Sequence, residues 1–184
     1  MTARVAAGRL DRADRLLEPE AGERRATLIA LARSVYRDEE FDPAAAADRV
    51  GMIARARGTT ARAAVEAAAT GEETPRELEQ RARRAARGAE REDILDALDL
   101  LEGWYRDLVV VSARAESAVL NSDLLAELAE DAQADCAAAA ERAAETVRDV
   151  WRSFEFNVQT GLALEALFVR LRRELAPSLT TAAP

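Results

Sequence analysis

Apolar positions recur along this chain at helical spacing, and proline, glycine and acidic runs separate the segments. Residues 2–18 read as a first helix, broken at Pro19 and Glu20. Leu28, Leu31 and Val35, with Tyr36 beside them, predict a second over about residues 21–38. The acidic stretch 38–40 reads as a connection. Asp42 then Pro43 is a start signal, a capping carboxylate followed by proline at the first helical position. The helix it opens carries Val50, Ile53 and Val65, with Gly58, Thr59 and Thr60 as a candidate interruption and Gly71 as its end.

Thr74-Pro75-Arg76-Glu77 is another start, with Glu77 placed to complete a capping box. A long helix is predicted from there to about Ser112. Its first half is polar and rich in arginine: Arg76, Arg81, Arg83, Arg84, Arg87 and Arg91. Its second half carries a stripe of Ile94, Leu98, Leu101, Tyr105, Leu108 and Ser112, flanked by Leu95, Trp104 and Val111. The run from Leu108 to Val111 is β-branched enough for a strand, but its continuity with the stripe favours helix. A loop over 113–120 follows, and Asn121 or Ser122 is placed to cap a short helix through Leu124, Leu125 and Leu128. The helix over about 135–156 is graded, from Ala137, Ala140 and Ala144 to Val147, Trp151 and Phe154. Asn157 stands at a junction before a last helix over about 158–175, whose stripe is Leu164, Phe168, Leu171 and Leu175 with Leu167 beside it. Pro177 is read as its stop and residues 177–184 as a loose tail. No internal repeat is visible. The fold class that emerges is all-α, a bundle of about six to eight helices.

Composition sharpens this picture. The chain has 184 residues, enough for one domain, and 43 are alanine against 8 glycines and 5 prolines. Alanine loses no side-chain entropy in a helix, so the bias is helical. There is no His and no Lys, and Cys136 is the sole cysteine. That removes the commonest general base, a Schiff-base or P-loop lysine, any internal disulfide and any CxxC zinc site. The formal net charge of −8 makes the chain as a whole a poor binder of phosphate backbones. No apolar run approaches the roughly 20 residues needed to span a bilayer, and there is no signal-peptide core, so a cytoplasmic protein is expected.

Candidate chemistry is sparse. Asp93, Asp96 and Asp99 are the nearest approach to an acid cluster, and a solvated helix face accounts for them better than a catalytic pair. A carboxylate-only metal site stays open, although no ExxH-type spacing supports one. The arginines of 76–91 are interleaved with Glu77, Glu79 and Glu90 and lack accompanying aromatics. A salt-bridged exposed helix is the leading account, with contact to an acidic partner or a DNA backbone as the alternative. Cys136 lies among alanines as a small packing residue. Trp104, Tyr105, Trp151 and Phe154 read as core, and Asn121 and Asn157 as helix-end caps. No catalytic residue, cofactor or metal ligand is assigned.

Three segments, taken in order, resemble the C-terminal collar domain of bacterial DNA polymerase III clamp-loader subunits, of the delta-prime type. They are Trp104, Arg106, Asp107 and Leu108 in a W-x-R-D-L pattern, Asn121 and Asp123 in an N-x-D turn, and a final helix that opens at Asn157 and carries Leu162, Ala163, Leu164 and Glu165 as LALE. The likeness covers about residues 94–175. Residues 8–13 are similar to the last lid helix of AAA-plus clamp-loader modules. Asp11 stands where ATP-using relatives carry a sensor arginine, which suits the delta-prime type because it does not hydrolyse ATP. The resemblance implies a lid remnant over 1–18, a collar-like domain over 19–176, and a fragment of a longer protein.

It also implies a non-catalytic oligomerisation domain. Its partners would be other clamp-loader subunits of the gamma/tau and delta types, with primed DNA met only through the assembled complex and no membrane or small-molecule substrate. Leu162 and Val169 lie off the stripe of the last helix, so Phe156, Leu162, Phe168 and Val169 are the candidate subunit interface. The rival readings are a free-standing helical adaptor, a ligand-binding regulator of the helical-bundle type and a carboxylate metalloenzyme.

Overall fold

The computed structural model describes residues 20–71, 73–132, 136–156 and 158–179, with side chains to Leu175. The helix expected over 2–18, the lid remnant, Asn157 and residues 180–184 lie outside the described residues. Within them the chain is an all-α bundle, and no strand occurs. The helices are α1 (Ala21–Arg37), α2 (Pro43–Ala67), α3 (Pro75–Ser112), α4 (Leu125–Asp131), α5 (Ala137–Ser153) and α6 (Thr160–Leu179). Two single 3₁₀ turns, Glu116–Ala118 and Ser122–Leu124, occupy the connection between α3 and α4.

Two helix starts, those of α2 and α3, lie where the local chemistry puts them. The Asp42 carboxylate accepts from the Ala44 and Ala45 amides, with Pro43 at the first position. Thr74 and Glu77 form the reciprocal capping box that opens α3. Two expectations are corrected. Gly58, Thr59 and Thr60 do not interrupt α2. The helix runs through them unbroken, and the two hydroxyls bond back to the Arg55 and Ala56 carbonyls, one turn earlier. Gly58 also sits where α2 meets α3, and a Cβ there would lie 2.5 Å from Cγ of Glu90. Nor does Pro177 stop α6, which runs on to Leu179. The proline gives up the N–H that would reach back one turn, and only two helical residues follow it.

The long helix α3 is the axis of the bundle. It packs against α2, α5, α1 and α4, while α6 closes the other side against α5, α2 and α1. The grading in α5 has a physical outcome. Ala139, Ala140, Ala143 and Ala144 are buried at its start, followed by Val147, Val150 and Phe154. Small residues allow close approach at one end, and larger ones fill the wider space at the other. The centre is held by Trp104, Tyr105, Phe168, Leu98, Leu101, Leu108, Leu164, Leu167 and Leu171, all essentially inaccessible. Each such leucine contributes about 1.5–3 kcal/mol relative to exposure.

Candidate functional site

The W-x-R-D-L and N-x-D segments converge at one buried polar junction. Asp107 lies on the last third of α3 with its carboxylate fully buried. One oxygen accepts from the Leu120 amide at 3.0 Å and from Arg106 Nη1 at 3.0 Å. The other accepts from the Asn121 amide at 2.8 Å and from Asn121 Nδ2 at 2.9 Å. A buried carboxylate is costly unless its lone pairs are filled, and here all are engaged. The result clamps the irregular connection after α3 back onto the helix. Asn121 makes no side-chain cap on the following turn, contrary to expectation, because its Oδ1 accepts from Arg25 Nη2 while its Nδ2 donates to Asp107.

Arg25 of α1 completes the junction. It donates to Asn121 Oδ1 at 2.8 Å and forms a two-pronged pair with Asp123 at 2.6 and 3.0 Å. Partial burial opposes ionisation of Asp123, but the Arg25 guanidinium outweighs it and holds the carboxyl below the usual range. Trp104 and Leu108 stand on the neighbouring turns of α3, fully buried. Trp104 Nε1 donates to the Tyr36 hydroxyl at 3.1 Å.

That hydroxyl belongs to a second network absent from the sequence expectations. Tyr36 donates to Asp131 at 2.5 Å, Arg33 contacts both oxygens of Asp131 at 2.7 and 3.0 Å, and Arg37 Nε donates at 2.8 Å. Glu130 takes a further bond from Arg33, and the arginines lower its carboxyl. Burial, then the Asp131 charge, pushes the Tyr36 hydroxyl well above its ordinary value. Arg172 of α6 adds a third anchor, donating to the Val35, Asp38 and Glu39 carbonyls at the end of α1. No local signal marks Asp131 as special: it follows Glu130 at the end of a short acidic helix, and its partners lie in α1.

The candidate interface residues divide. Phe168 is fully buried and packs at 6.1 Å from the Phe41 ring, so it belongs to the core. It lies one turn after Leu164 on the inward stripe of α6, which is why it cannot also face outward. Phe156, Leu162 and Val169 are exposed, at 72, 60 and 41%. Leu162, Ala166 and Val169 are spaced to share one outward line of α6, and all three are exposed. Leu164 is buried and Glu165 exposed.

The acid cluster is corrected too. Asp93 is buried and pairs with Arg24 at 3.6 Å, and Asp96 and Asp99 are half-buried. They do not form a solvated face, because this stretch of α3 is covered on several sides. Cys136 is buried, its sulfur 3.3 Å from the Ser112 hydroxyl. Between α3 and α5 lies a cleft of about 280 Å³ lined by Leu98, Glu102, Val147, Arg148 and Trp151 among others. No group of three or more His, Cys, Asp or Glu able to hold a metal ion occurs among the described residues, and none of their helices is long and apolar enough to cross a membrane. No known family, curated protein or solved structure matches the chain.

Proposed function

We propose that this chain is a subunit-association domain of the clamp-loader collar type, of the delta-prime kind. It holds neighbouring loader subunits in position while the parent complex places sliding clamps on primed DNA. It contributes no catalytic group and needs no cofactor.

The observation that carries this reading is the junction at Asp107. Of the motif residues that suggested the likeness, Arg106, Asp107 and Asn121 are hydrogen-bonded to one another, and Asp123 joins them through Arg25. The spacing thus has a physical reason, since it brings the donors of Asn121 to the buried Asp107 carboxylate. The outward line of Leu162, Ala166 and Val169, with Phe156 exposed just before the helix, gives α6 an apolar face beyond the one it buries.

Co-expression with loader subunits of the gamma/tau and delta types tests the reading. The chain is expected to co-purify with them. Leu162→Asp with Val169→Asp is expected to abolish this while leaving helicity unchanged, because neither side chain is core. A folded wild-type chain that does not assemble would sink the proposal.

A further inference from the structure

The first half of α3 carries a row of arginines that the collar reading does not use. Arg76, Arg84, Arg87 and Arg91 are all exposed. At about 100° per residue they fall within roughly a quarter of the helix circumference, with Gln80 between them, over about 22 Å of axis. Of the interleaved acids, Glu77 and Glu79 are engaged elsewhere, and the Glu90 side chain lies against Gly58 of α2. Glu79 pairs with Arg83 and Arg62, Glu73 pairs with Arg81, and Glu77 closes the capping box on Thr74. Among the described residues, none of the four row arginines makes an ion pair. The salt-bridged helix thus accounts for Arg81 and Arg83 and leaves this row over.

We infer that this arginine row binds the phosphate backbone of duplex DNA without reading its sequence. Three features select that occupant. Guanidinium forks match phosphate oxygens in pairs. The row contains no aromatic side chain, so the stacking that holds single strands is missing. It also contains no apolar side chain, whereas protein interfaces centre on buried aromatic or aliphatic anchors. A partner held by charge alone is a polyphosphate rather than an acidic protein surface. The net charge of −8 opposes binding at long range. At about 0.1 M salt, however, charges beyond about 10 Å are screened, so the local row decides. The inference stands on the chain alone and does not require the collar assignment.

The test is fluorescence anisotropy of a labelled mixed-sequence duplex titrated with the full chain. Four phosphate contacts give a salt slope near −3.6, so affinity is expected to fall roughly a hundredfold between about 50 and 200 mM salt. Arg84→Gln with Arg87→Gln is expected to weaken binding at least tenfold at low salt and to reduce the slope by about two. Arg142→Gln, which removes a surface arginine paired with Glu174 on another face, is expected to change little. Circular dichroism checks that the exposed substitutions leave the fold intact. No binding at about 50 mM salt overturns the inference. So does a double variant that binds like wild type, or capture of poly-glutamate through the row without capture of DNA.

Discussion

Two buried aspartates do different work, and substitution should separate them. Asp107 serves two main-chain amides that are held in place by the chain around them, that of Asn121 buried and that of Leu120 partly buried. Asp107→Ala leaves both donors unsatisfied, and at about 1–3 kcal/mol for each the expected loss is about 3 kcal/mol or more. Asp131 serves flexible side chains. Arg37 is 43% exposed and can turn to solvent, and Tyr36 keeps its contact with Trp104. Asp131→Ala is therefore expected to cost less than Asp107→Ala, about 2 kcal/mol once solvent screening of the arginines is allowed for. Urea melts of the two variants check the order, and an Asp131→Ala loss exceeding that of Asp107→Ala would contradict it. Position 107 also shows how far sequence reaches. Its motif could be read, but its partners 13 and 14 residues on are defined only by the path of the loop.

At the scale of elements, boundaries set by local chemistry were legible and those set by packing were not. Asp42-Pro43 and Thr74-Pro75 mark their helices because a cap needs only residues within one turn. Gly58 has the look of a breaker because helix propensity disfavours it. Packing overrides that propensity: the Glu90 side chain lies against Gly58, and a Cβ there would force it aside. Phe168 followed the inward stripe of α6, so its burial was readable from spacing alone. The role of α1 was not, because its arginines and Tyr36 pair with residues more than 90 positions away. The caps allow a clean test. Asp42→Ala is expected to lower stability by about 1 kcal/mol, whereas Asp42→Asn should cost only a few tenths, because asparagine accepts the same amides. Equal losses in both variants, measured by thermal denaturation, would mean that charge at the helix start matters more than the cap bonds.

At the scale of the whole molecule, α1 is bound to the rest of the bundle through tyrosine hydroxyls as well as through apolar contact. Tyr36 reaches Asp131 and receives a bond from Trp104, and Tyr105 of α3 donates to the Ala32 carbonyl. These are the two tyrosines of the chain, and both are buried. Burial raises both hydroxyls far above the ordinary value of 10, and for Tyr36 the Asp131 charge adds to it. The unfolded chain loses these protons near pH 10, while the folded one keeps them. The stability they confer is thus intact below pH 10 and declines as pH rises above it. Each tyrosine costs about 1.4 kcal/mol per pH unit in that range, or about 2.7 for the pair. For a domain with about 5–15 kcal/mol of stability, two or three units bring unfolding within reach. The arginine pairs give no earlier alkaline transition, since guanidinium stays charged throughout this range. Alkaline titration followed by near-ultraviolet absorbance and circular dichroism together should therefore show tyrosinate forming only as helix is lost, in one cooperative step. Tyrosinate that forms near pH 10 with the helices intact would show that α1 opens on its own and that its anchors do not couple it to the bundle.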